Sequence, residues 1–116
     1  QSVIYVTSSQ LFDILGSREF DTDPEKRQAG ALLDECELLI IDDLGTELTN
    51  SFTVSQLFIC LNDRILQKKS TIISTNLSLN EIKSIYSERT FSRISSNYRL
   101  LKLAGDDIRI KKKLMK

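Results

Sequence analysis

Leu38-Leu39-Ile40-Ile41-Asp42-Asp43 decides the reading of this sequence. Four consecutive aliphatic residues between polar flanks predict a short strand buried on both faces, as in a parallel sheet. Upstream, residues 3–7 form a second apolar, β-rich run. Thr7-Ser8-Ser9 then offers an N-cap to a helix carrying Leu11, Phe12, Ile14 and Leu15, with Gly16 at its end. After a polar stretch, Pro24 suits the first turn of a second helix running to about Asp34. Downstream, Gly45 and Thr49-Asn50-Ser51 mark a loop. The next helix carries Val54, Leu57, Phe58, Leu61 and Ile65 on one stripe. Thr71–Thr75 is a third strand. Helices over Leu79–Tyr86 and 88–96 follow, then a last strand over Tyr98–Leu103. Strands alternating with helices predict βαβ units and a parallel sheet with helices on both faces, a three-layer α/β fold.

The totals set the bounds. The 116 residues suffice for one small domain. The formal net charge is zero, so attraction to DNA has to come from a local patch. No apolar run approaches the roughly 20 residues that span a bilayer, and no signal-peptide pattern occurs. Cys36 and Cys60 stand apart in apolar surroundings and are read as reduced core thiols of a cytoplasmic protein. The absence of histidine excludes His-based triads and zinc–histidine sites. The chain does not begin with Met and runs at once into a strand, so a fragment of a longer protein is expected.

Asp42 and Asp43 are the first candidates for chemistry. Magnesium takes hard oxygen ligands, often a single carboxylate, and a neighbouring carboxylate can orient and deprotonate water. Successive strand residues point to opposite faces, which gives the two acids different tasks. The C-terminal end of a parallel strand is also where α/β folds hold ligands. The competing reading is an acidic turn after a core strand. Asn76, ending the next strand, is suited to bond an attacking water or a phosphate, or is simply a turn residue. Arg89 and Arg93, at i and i+4, share one helix face. They are either offered to a phosphate from a neighbouring subunit or a solvated face partnered by Glu88.

Together Leu38-to-Glu47 (LLIIDDLGTE), Ser70-to-Asn76 (STIISTN), Ser87-to-Ile94 (SERTFSRI) and Gly105-to-Arg109 (GDDIR) resemble the AAA+ ATPases of the DnaC/DnaI helicase-loader and IstB-like group. The order and spacing of the four motifs are far more specific than any one of them. The resemblance implies a P-loop NTPase core using ATP and Mg²⁺. Asp42 is then the Walker B aspartate that holds Mg²⁺. Asp43 stands where many AAA+ proteins carry Glu as catalytic base. Asn76 is the sensor-1 residue, Arg93 the arginine finger acting in trans with Arg89 as second candidate, and Arg109 a sensor-2-type arginine. Glu47 belongs to the motif without an evident role.

One element of the pattern is missing. The Walker A loop ends in Gly-Lys-Ser/Thr, and none of the four glycines (16, 30, 45 and 105) precedes a lysine. Its backbone N–H groups and lysine cradle phosphates. Residues 1–110 are therefore read as a partial AAA+ domain, incomplete without its first strand and Walker A loop, and 111–116 as a basic tail. That strand belongs in the middle of the family's sheet. An unfilled slot would leave edges prone to strand exchange or to pairing with another chain.

The resemblance also implies partners: single-stranded DNA, a replicative DnaB-type helicase and further copies of the chain across the ATP site, with no membrane. Residues 8–35 occupy the place of a helical insertion used for single-stranded DNA. Arg18, Phe20, Lys26 and Arg27 lie there, and Phe52 is a candidate for the same channel. Aromatic stacking beside cations is how single strands are held. The alternative is that Phe20 and Phe52 are packing residues. A transposition ATPase of the IstB type fits the motifs equally, and a nonhydrolysing interaction module is a third reading.

Overall fold

The computed structural model describes residues 2–17, 23–45 and 49–100. Three strands, β1 (Val3–Thr7), β2 (Leu38–Leu44) and β3 (Ser70–Thr75), form a parallel sheet in the order β1-β2-β3. Five helices accompany them: α1 (Ser8–Ser17), α2 (Pro24–Glu35), α3 (Ser51–Leu66), α4 (Leu79–Tyr86) and α5 (Glu88–Asn97).

Local chemistry sets the helix starts. Thr7 Oγ1 accepts from Gln10 N while Gln10 Oε1 accepts from Thr7 N, so the two residues close the first turn of α1 reciprocally. Asp23 caps α2 ahead of Pro24. Asn50 and Thr53 form a capping box on α3, and Ser78 and Glu81 form one on α4.

The strand order decides which face of the sheet is covered. Both crossovers step the same way along the sheet, from β1 to β2 and from β2 to β3. Right-handed connections then lay their helices on the same face. Accordingly α1 packs on β1 and β2, α3 packs on β3, and α2, α4 and α5 pack against these helices. Val6, Leu39 and Ile41 point into that layer and are buried among Leu11, Leu15, Leu33, Leu57, Leu61 and Ile94. Phe12 stacks on Tyr86 with ring centroids 6.1 Å apart. On the other face Leu38 and Ile40 are only half-buried, and Val3 and Tyr5 are 55% and 57% exposed. The described residues thus supply two of the three layers. Helices on both faces would require a crossover running in the opposite direction along the sheet.

The buried face of α3 coincides with the expected stripe at Leu57 and Leu61 and departs from it elsewhere. Thr53, Gln56, Leu57, Cys60, Leu61 and Arg64 are buried, whereas Val54, Phe58 and Ile65 are half-buried. The buried face is set by a polar anchor, the fully buried Arg64 guanidinium. Cys36 and Cys60 are free and buried, as expected of core thiols. No strand begins at Tyr98. Its N–H bonds to Ile94 O and closes α5, residues 99 and 100 are not in a strand, and 101–116 lie outside the described residues.

Two expected outcomes arise here. Ser87 ends α4 and caps α5 at φ 98°, ψ 157°, a region populated almost only by glycine. Its cap to Thr90 N is long, 3.4 Å. Relief of about 1–3 kcal/mol of strain outweighs the entropy glycine adds to the unfolded chain, about 0.4–1 kcal/mol. Ser87→Gly should therefore raise the urea midpoint, and a lowered midpoint would show that Ser87 is not strained. Burial raises the Tyr98 phenol above its ordinary range, while a Thr71 hydrogen bond opposes the shift. The folded state thus keeps a proton that the unfolded state loses. Stability should hold below the phenol's usual pKa and fall as pH rises beyond it. Tyr98→Phe should remove that alkaline loss, which urea titrations at several pH values would measure.

Candidate functional site

The C-terminal end of β2 is irregular in a way that places its two acids. Ile41 pairs with Ile73, but Leu44 pairs with Thr75, so β2 carries one extra residue at Asp42-Asp43, a β-bulge. Asp43 adopts φ 57°, a left-handed conformation that aspartate tolerates better than most residues. Unbroken alternation would aim residue 43 into the helix-covered face beside Leu39 and Ile41. The bulge puts Leu44 there instead, 1% exposed, and leaves both acids half-buried. Alternation along the strand was the expected device for separating the acids; the bulge is what separates them.

The backbone after the bulge is fixed from two sides. Ser8, fully buried at the start of α1, donates from Oγ to Asp43 O at 2.9 Å. Gly45 follows at φ 112°, where a Cβ would lie 2.7 Å from Leu77 Cγ. Only glycine permits this approach, which presses the loop after β2 against the loop after β3. Thr75 Oγ1 ties the same two loops by donating to Leu44 O at 2.6 Å and accepting from Leu77 N at 3.0 Å.

The Asp42 carboxylate is gripped by both neighbouring strands. Ser74 Oγ of β3 donates to Asp42 Oδ1 at 3.0 Å, and Tyr5 Oη of β1 donates to Asp42 Oδ2 at 2.5 Å. Asn76, expected to bond an attacking water or a phosphate, lies two positions beyond Ser74, exposed, in the bend that follows the strand. Nothing in the local pattern around Tyr5 singles it out. Its signal is the register, since Tyr5 pairs with Ile40 and so shares a face with Asp42 two residues on.

The two arginines of α5 differ. The Arg89 guanidinium lies over the Phe58 ring of α3, 4.3 Å from its centroid. Arg93 is exposed, and its side chain makes no hydrogen bond or ion pair among the described residues. Glu88, expected as a partner of this face, pairs instead with Lys83 at 3.7 Å. Of the candidates for DNA contact, Arg27 is exposed on α2 and Phe52 is half-buried in the first turn of α3. Arg18, Phe20, Glu47, Arg109, the tail lysines and the side chain of Lys26 lie outside the described residues.

The donor set fits magnesium. Among the described residues no three His, Cys, Asp or Glu side chains form a metal-binding group. An all-protein cage is therefore not available there. One strand-end carboxylate held by neutral hydroxyls is the kind of ligand Mg²⁺ takes together with water and phosphate oxygens. Among the described residues no helix is long and apolar enough to cross a membrane.

Among curated proteins none matches the sequence. Solved structures do: a DnaC helicase loader at 22% identity and TM-score 0.73, over 90% of this chain and 62% of that one. A DnaI structure matches at 18% identity and TM-score 0.63, over 84% and 54%. The replication initiator DnaA bound to AMPPCP and single-stranded DNA matches at 19% identity and TM-score 0.73, over 98% and 36%. At these identities the likeness establishes the fold alone, a parallel α/β domain like part of those proteins, and the chain spans less than two thirds of each relative's length. The family model described as IstB-like ATP binding protein matches residues 1–116. The chain belongs to that family of IstB-like ATP-binding proteins.

Proposed function

We propose that this chain is the Walker B-to-sensor-2 portion of the ATPase domain of a DNA-replication helicase loader. The observation that carries the reading is the gripped Asp42 carboxylate at the C-terminal end of the central strand β2, flanked by Ser74 and followed by Asp43 on a bulge. Bound Mg²⁺ supplies charge neutralisation at the phosphates of ATP. Asp42 would hold that ion. Asp43, re-aimed by the bulge, would orient and accept a proton from the attacking water. Asn76 would fix that water or a terminal phosphate from the end of β3. Arg93 would reach a phosphate held by the neighbouring subunit, and Arg109 would contact the nucleotide bound to its own chain. The phosphate cradle has to come from a glycine-rich loop outside these 116 residues, so the chain by itself should not hydrolyse ATP.

Single-stranded DNA and a DnaB-type helicase are the proposed partners, with Arg18, Phe20, Lys26, Arg27 and Phe52 facing the strand. Arg27 is exposed on α2, which supports this placement. The family model supports a second reading, an IstB-like transposition ATPase with a transposase as partner. The test uses the polypeptide that joins this chain to its phosphate loop and measures its ATP-dependent binding to a DnaB-type helicase hexamer and to an IstB-partnered transposase. Helicase capture with ATP, released on hydrolysis, supports the loader. Capture of transposase alone overturns it in favour of the second reading.

A further inference from the structure

We propose that the Tyr5 hydroxyl is a positioning group for Asp42, aligning the carboxylate to hold a divalent cation; this rests on the reading of Asp42 as the magnesium ligand. Tyr5 stands on β1, the edge strand away from β3, and its ring crosses the open face of the sheet diagonally to reach β2. Diagonal neighbours lie about 7–8 Å apart, within reach of an aromatic side chain but not of a serine or threonine. The contact, 2.5 Å from phenol oxygen to Asp42 Oδ2, is as short as hydroxyl–carboxylate bonds become when the acceptor is ionised. Ser74 binds the other oxygen from the opposite side at 3.0 Å. Two donors from two strands fix the tilt of the carboxylate and its rotation about Cβ–Cγ, which one donor cannot do. Neither hydroxyl carries charge, so neither competes electrostatically with a cation as a lysine or arginine would.

A group of this kind acts through the ligand it orients, and its loss typically weakens metal affinity by about 10–100-fold. Tyr5→Phe removes one oxygen and keeps the ring. The probe is Mn²⁺, with its affinity read by electron paramagnetic resonance on the polypeptide carrying the phosphate loop, in the presence of a nonhydrolysable ATP analogue. Tyr5→Phe should weaken Mn²⁺ binding by about tenfold or more, with unchanged melting temperature and unchanged analogue binding in chelator. Asp42→Asn should abolish Mn²⁺ binding. Wild-type Mn²⁺ affinity in Tyr5→Phe beside lost affinity in Asp42→Asn would overturn the role of Tyr5 and keep that of Asp42. Wild-type affinity in both variants would overturn Asp42 as ligand and the proposal with it.

Discussion

Arg64→Ala is expected to lower stability by about 2–5 kcal/mol, a large part of the 5–15 kcal/mol typical of a domain. The side chain is 1% exposed. Nε donates to Thr71 Oγ1 at 2.8 Å, Nη1 to the carbonyls of Leu33 and Cys36 at 3.2 and 2.9 Å, and Nη2 to those of Glu37 and Ser70 at 3.4 and 2.6 Å. These acceptors end α2 and begin β2 and β3. One guanidinium therefore locks a crossover connection to the start of two strands. The carbonyls at the end of α2 carry the negative end of the helix dipole, which favours a cation there. Truncation removes a donor from four carbonyls, of which Glu37 O keeps Ser70 N and Leu33 O keeps Cys36 Sγ; an acceptor left unsatisfied costs about 1–3 kcal/mol, and the lost volume opens a cavity. Losing the desolvation cost of the guanidinium offsets part of this. Arg64→Met fills the volume without donors, and Arg64→Lys offers three donors without the planar fork. Urea midpoints should fall in the order wild type, Lys, Met, Ala at constant slope. A midpoint for Met equal to that of wild type would show that the hydrogen bonds contribute nothing.

Arg93→Ala has the largest expected effect on activity. On the proposed assembly its guanidinium meets charge developing on a phosphate held by the next subunit, a contribution of about 10³–10⁵ in kcat for such an arginine. Arg93 is exposed and unengaged among the described residues, whereas Arg89 is held over Phe58. Arg93→Ala should bind ATP nearly as wild type does and lose DNA-stimulated hydrolysis. Arg89→Ala should lose about 0.5–1 kcal/mol of stability with the cation–π contact and keep far more of the activity. Steady-state hydrolysis of both variants, with and without single-stranded DNA, separates these roles. Normal turnover in Arg93→Ala would show that it is not the finger.

The sequence made the alternation of elements plain because each signal is local. Aliphatic runs marked the strands; Thr7-Ser8-Ser9 and Pro24 marked helix starts. What it hid depends on contacts between distant residues. Arg64 reads as the charged end of an amphipathic helix until α2 and both strand starts surround it. Tyr5 reads as one member of a hydrophobic strand until register sets it beside Asp42. The bulge at Asp42-Asp43 leaves no mark in composition, although aspartate is a residue that tolerates φ 57°. The one-sided sheet follows from strand order, which periodicity does not encode. Of the site, Asp42 and Asp43 were legible because acids ending an apolar strand are conspicuous. Ser74 is not singled out by the strand's pattern, because only the register shows that it faces the Asp42 carboxylate.

An ATP site shared between subunits makes one demand that no other arrangement shares. Asp42→Asn lacks the metal ligand but still offers Arg93 to a neighbour, while Arg93→Ala keeps the ligand but offers no finger. Each variant alone should be inactive in steady-state ATP hydrolysis, measured with single-stranded DNA present in the polypeptide carrying the phosphate loop. Mixed, the two should recover a definite fraction of wild-type turnover, because an intact site forms wherever the right neighbours meet. A mixture as inactive as its components would contradict the account.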